Sequence, residues 1–196
     1  MSRKSTLSRI KSGIAAAAIV AFALTGCAPA DTAATDESAI TTITPGKLTI
    51  GTGLPAYAPW VLEDTPESGE GFEAAVAYAI AAELGFAAED VVWVRTTFDE
   101  AIAPGAKNFD FNLQQYTITE ERKANVDFSE PYYVTTQAVV TIKGSAAEGV
   151  TDLAGLKDLL IGAASGTTSF TAVEEIIAPT AGAQAFNSND DAKAAL

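Results

Sequence analysis

Two β-branched runs, KLTIG at residues 47–51 and VVWVR at residues 91–95, enclose the apolar stretch GFEAAVAYAIAAELG at residues 71–85. In the middle stretch Phe72, Val76, Ile80 and Leu84 recur at helical spacing, Glu73 sits in the first turn and Gly85 supplies a stop. Strand, helix and strand in that order predict a crossover unit and a mainly parallel sheet. A short helix at residues 98–103, closed by Pro104 and Gly105, and a third strand at residues 109–115 extend the unit. In open sheets of this kind ligands sit beyond the carboxyl ends of the strands. The loops at residues 53–60, 96–98 and 114–122 are therefore expected to converge on one site. The run TTQAVVTIK at residues 135–143 reads as a strand leading out. Beyond Gly144 the alternation begins again, with a helix at residues 151–159, a strand at 159–164, the loop SGTTS at 165–169, a helix at 170–177 and another starting near Asp190. The fold class is α/β, with a first lobe at residues 47–141 and part of a second at residues 142–196.

The N-terminus belongs to neither lobe. Arg3, Lys4, Arg9 and Lys11 precede an apolar run from Ile14 to Leu24, far shorter than the ~20 residues of a spanning helix. Residues 1–26 read as a secretory leader, and its end, LTGC, resembles the bacterial lipobox, in which Cys27 becomes the lipid-modified N-terminus. Acylation holds a protein at a membrane without spanning it. Cys27 is the only cysteine, so no disulfide forms within the chain. Residues 27–46, rich in Ala, Thr, Asp and Pro, are expected to be a flexible tether.

Of the 12 Lys+Arg, four lie in the leader, leaving 8 against 25 Asp+Glu and a formal charge of −17. Such a field repels phosphate backbones, and with no basic stripe to reverse it, nucleic-acid binding is excluded. The absence of histidine excludes Ser-His-Asp and Cys-His chemistry and imidazole-based zinc sites within these residues. No cofactor is expected, and the chain reads as a monomer.

Only two arginines, Arg95 and Arg122, lie outside the leader. Arg122 follows Gln114, Gln115, Tyr116, Thr117 and Thr119, and Thr119 is a plausible N-cap one turn before it. A hydroxyl, backbone N–H groups and a planar guanidinium fork could then point at one anion. The alternative is a surface arginine paired with Glu120, Glu121 or Asp127. In SGTTS, Gly166 permits close backbone approach, and Thr167 and Thr168 add hydroxyls at a helix start; an ordinary N-cap is the alternative. Tyr57, Trp60, Phe98 and Tyr116 are aromatic faces in the loops expected to converge, with core packing the competing role.

Several segments, YAPW, GFEAAVAYAIAAELGF, FDFNLQQYTITEERKANVDFSEPYY, DLAGLK and IGAASGTTS, together resemble the amino-acid-binding family of type 2 periplasmic binding proteins, the solute receptors of ABC importers. The resemblance runs from about residue 48 to 196. It implies two lobes that close over a small solute, an amino-acid ligand, and a permease partner in the membrane. Carried over position by position, Arg122 clamps the α-carboxylate beside Thr117, and Thr167 and Thr168 help from the second lobe. Tyr57, Trp60 and Phe98 line the cleft, and Gln115 and its neighbours contact the α-amino group or side chain.

The sequence departs from that pattern in three places. Gly53 and Leu54 stand where many relatives carry an aspartate. Gln114, Gln115 and Tyr116 replace small residues and narrow the pocket. The family chain also continues well past residue 196, supplying an aspartate for the α-amino group, so a fragment with impaired binding is expected unless the remainder is supplied elsewhere. The negative field favours zwitterionic or cationic amino acids. A sensory ligand-reading module and, further off, a carbon–oxygen lyase on the same fold are the rival functions, the latter needing a catalytic Asp or Glu.

Overall fold

The computed structural model describes residues 40–196. The leader, Cys27 and the tether as far as residue 39 lie outside the described residues. The end of the tether is fixed rather than free: the backbone N–H of Ile43 donates to Asp110 Oδ1 (2.8 Å), whose Oδ2 accepts from Thr49 N–H (2.7 Å).

Strand β1 (Leu48–Gly53) is the centre of a three-stranded parallel sheet, with β2 (Val91–Thr96) on one side and β3 (Phe111–Asn112) on the other. Ile50 is the register point, opposite Trp93 in β2 and Phe111 in β3. Every residue of β1 is buried, as expected of a central parallel strand.

Helix α1 (Phe72–Glu83) covers the sheet. It does so through small residues: Ala77 and Ala81 are fully buried against the sheet, Ala74 is buried against Ala56 and Val61 of the loop after β1, and Phe72 and Leu84 are 39% and 40% exposed. Alanine at the contact lets the helix lie close on Leu48, Ile50 and Leu113, and Val76, Phe86 and Trp93 close the flanks of that cluster. The helix ends as its sequence predicts, with Gly85 at φ +86° just after the cap residue Leu84.

Helix α2 (Phe98–Ile102) opens with a capping box, Thr97 and Glu100 each holding the other's backbone N–H. β3 is shorter than its predicted seven residues. The ladder to β1 is continued by Asp110 N–H to Thr49 O (2.7 Å) and Leu113 N–H to Gly51 O (3.0 Å), and Gln115, at φ +52°, then turns the chain out of the sheet. On the far side of β3 lies a cavity of about 860 Å³, reached by Ile80, Ile102, Phe111, Val126 and Tyr132. Helix α3 (Glu120–Lys123) follows, capped by Thr119.

The second sheet pairs β4 (Ile161–Ala164) with β5 (Ala183–Phe186) in parallel. Between them run α4 (Thr168–Ala172), a π turn (Val173–Ile177) and Ala178 at φ +47°; α5 (Asn189–Ala194) follows β5. Leu156, Val173 and Ile177 form its core. Two expectations need correction. Residues 135–143 form no strand, because no described strand pairs with them and Val139, Val140 and Ile142 are exposed. The helix expected at residues 151–159 reduces to a 3-10 turn (Ala154–Leu156): Asp152 Oδ1 accepts the Gly155 N–H (2.8 Å), a local bond that competes with helix propagation. β5 was not anticipated from the sequence. Among the described residues, no helix is long and apolar enough to cross a membrane.

Candidate functional site

Arg122 is set by its local sequence. Thr119 caps α3 by accepting the Arg122 N–H (3.2 Å), which fixes the helix start. The residue is only 7% exposed. Its guanidinium lies 5.2 Å from the Phe98 ring centroid and 5.7 Å from that of Tyr116, two rings that themselves meet at 4.4 Å. Aromatic faces attract a cation while keeping water off it. Burial lowers the Arg122 pKa, countered in part by the carboxylates of Glu121 and Asp99, and a guanidinium stays protonated nonetheless.

Two of its N–H groups are committed. Nη1 donates to Thr117 O (2.8 Å), and Nη2 donates to Gly166 O (2.9 Å) in the loop after β4. The remaining donors of the fork can take a carboxylate. The hydroxyls of Thr117 and Thr168 meet at 3.3 Å, and Gln137 bonds Thr168 (3.2 Å) and Ser169 (2.7 Å) through its amide. Tyr116 is held from behind: its hydroxyl donates to Phe98 O (2.7 Å) and meets Gln114 Oε1 (3.2 Å), which also accepts from Thr96 Oγ1 (3.1 Å). Burial pushes the Tyr116 phenol well above its ordinary value, so it stays protonated.

Phe98, Tyr116, Thr117, Arg122, Gly166 and Thr168 thus gather at one place. Four other predicted residues do different things. The Thr167 hydroxyl donates to Ala164 O (2.7 Å) and caps α4 by accepting the Phe170 N–H (3.1 Å), so it is spent inside its own loop. Trp60 packs edge-on with Phe72 (5.8 Å) and Tyr133 (4.8 Å). Gln115 gives both its backbone N–H (2.8 Å) and its side-chain amide to Glu73. Tyr57 is half-buried; burial and then the carboxylates of Asp190 and Asp191 raise its pKa.

A buried arginine against a pair of aromatic rings, bonded to a carbonyl in the loop after β4 and with the Thr117 and Thr168 hydroxyls meeting nearby, can capture a small carboxylate. The family model of the bacterial extracellular solute-binding proteins, family 3, matches residues 48–194. The chain belongs to that family.

This family 3 protein is similar to a probable histidine-binding protein of Neisseria gonorrhoeae, 29% identical over 86% of this chain and 60% of the relative. It is also similar to an ancestral arginine-binding protein solved with bound glutamine, with a TM-score of 0.65 and 33% identity over 78% of this chain and 65% of that one. An ancestral amino-acid-binding protein that is a precursor of cyclohexadienyl dehydratase matches with a TM-score of 0.59 and 31% identity over 76% of this chain and 65% of that one. The chain therefore spans less than two thirds of the length of each of these relatives.

Sequence reasoning missed Asp99 and Glu73. Asp99 follows Phe98 in the first turn of α2, and its carboxylate lies against Gly166, where an added Cβ would stand 2.4 Å from Oδ1. Gly166 also has φ +70°, a conformation in which a Cβ is strained. Gly166→Ala is expected to cost about 1–2 kcal/mol, read as a lower denaturant midpoint. Asp99→Ala, an exposed change, stays within about 0.5 kcal/mol.

Proposed function

We propose that this family 3 solute-binding protein captures an amino acid between its two sheets and delivers it to an ABC permease, as a monomer held outside the cytoplasm by lipid on Cys27. Arg122 takes the ligand's α-carboxylate, with Thr117 and Thr168 hydroxyls beside it and Phe98 and Tyr116 packing the cleft. The observation that carries this reading is the buried guanidinium, stacked on two rings and bonded to carbonyls of both parts of the chain. The ligand class is zwitterionic or cationic. Supporting this are the formal charge, the carboxylates of Asp99 and Asp190 near Gly166 and Tyr57, and relatives named for histidine and arginine.

Calorimetric titration of the chain with the twenty amino acids tests it. Saturable heat is expected with L-arginine, L-histidine or L-glutamine; no heat with any amino acid overturns the reading. Retention of a radiolabelled fatty acid by the wild type and its loss in Cys27→Ser tests the anchor.

The likeness to a dehydratase precursor makes a lyase the rival reading. The buried carboxylate of Glu73 is occupied by three hydrogen-bond donors, which leaves it poorly placed as a proton acceptor, so a lyase would have to use the exposed Asp99 beside Gly166. Product formation on incubation with small hydroxy acids would favour the lyase.

A further inference from the structure

Glu73 stands in the first turn of α1 and is 1% exposed. Its carboxylate accepts from the Gln115 backbone N–H (2.8 Å), the Gln115 side-chain amide and the Tyr132 hydroxyl (2.6 Å). Among the described residues no cation pairs with it. A carboxylate buried without a cation is a costly choice where a neutral side chain of the same shape would fill the space. Its partners suggest what the charge is for. Gln115 holds φ +52°, a left-handed conformation that residues other than glycine rarely adopt. It immediately precedes Tyr116 and Thr117, the ring and the carbonyl that meet Arg122. Tyr132 opens the segment that leads to the second sheet and carries Gln137 to Thr168 and Ser169.

We propose that Glu73 is a positioning residue for the amino-acid site: its carboxylate fixes the left-handed turn at Gln115, setting Tyr116 and Thr117 against Arg122, and through Tyr132 ties the connecting segment to the same point. The ligand part of this inference rests on the amino-acid reading above; the positioning part does not.

A residue that only fills space and one that positions the wall respond oppositely to loss of charge. Burial raises the Glu73 pKa, against the lowering effect of the Tyr132 and Gln115 bonds. The stability associated with its protonation is therefore full below the ordinary carboxyl value and is lost as pH rises through the raised one. The wall has the reverse demand, because only the ionised form accepts from all three donors. Ligand affinity should fall with decreasing pH through that range while Glu73 itself contributes more stability. The titratable groups facing Glu73 are Tyr132 and Tyr116; burial raises both phenols, so neither titrates there.

Glu73→Gln is the test, since the amide keeps the shape but sets an NH₂ against the Gln115 NH₂. The expected result has three parts: an unchanged or higher melting temperature, faster amide exchange over residues 115–117, and L-arginine affinity lower by about ten- to a hundredfold. Gln115→Gly added to Glu73→Gln should recover part of the loss, because glycine takes φ +52° freely. Tyr132→Phe, which removes one donor and raises the Glu73 pKa further, should move the acid fall in affinity to higher pH and serves if Glu73→Gln does not fold. Unchanged exchange at residues 115–117, or unchanged affinity in a wild type that binds, overturns the proposal. A wild type giving no heat with L-arginine, L-histidine or L-glutamine sinks the amino-acid reading instead, and the exchange measurement alone then decides on Glu73.

Discussion

Arg122→Ala is expected to abolish measurable amino-acid binding while leaving the far-ultraviolet circular dichroism spectrum intact. The guanidinium is the cation that the structure places among Phe98, Tyr116 and Thr117, and a ligand carboxylate closed over it would lose its charged partner in a water-poor site. Such losses run to about 2–5 kcal/mol, which takes weak binding beyond detection. Arg122→Lys should recover little. A lysine keeps the charge but not the planar fork, and it cannot hold Thr117 O and Gly166 O while presenting further donors to a carboxylate. Wild-type affinity in Arg122→Ala would overturn the assignment of the site. If Arg122→Lys alone bound as well as the wild type, the fork geometry would be irrelevant and the charge sufficient.

The second large effect lies in the core. Ile50 is fully buried at the centre of β1, opposite both Trp93 and Phe111. Ile50→Ala should cost about 2–5 kcal/mol, a large part of the 5–15 kcal/mol typical of a whole domain. The measurement is the chemical denaturation midpoint, with Leu54→Ala, 61% exposed, as a control expected to move it by no more than about 0.5 kcal/mol. Binding by the Ile50 variant should decline only with its folded fraction, unlike that of Arg122→Ala. Equal midpoints for the two would show that α1 does not depend on this contact.

The sequence made the first sheet legible because its signals are local. Residues 47–51 and 91–95 are β-branched, the helix between them has a clear period and a glycine stop, and Thr119 stands at the correct offset to cap Arg122. Where the outcome depended on partners distant in sequence, the same reasoning fell short. The run at residues 135–143 has strand composition, but a strand exists only when another pairs with it. The structural duties of Trp60 and Gln115 turned on which neighbour each found in space, whereas Thr167 took the local N-cap role that its sequence already offered. Glu73 had a readable sign that went unused. It lies on the same stripe as Ala77 and Ala81, four and eight residues on, so an amphipathic reading built on the alanines instead of on Phe72 and Leu84 would have placed it against the sheet.

The only covalent path from the three-stranded sheet to the two-stranded one runs through residues 131–144, all exposed and without helix or strand. Protease cutting should begin there, and a single nick between Gln137 and Lys143 would turn one molecule into two chains. What then kept them together would be contacts such as Arg122 to Gly166 and Thr117 to Thr168. The meeting of the two sheets would become a bimolecular association, weakening on dilution.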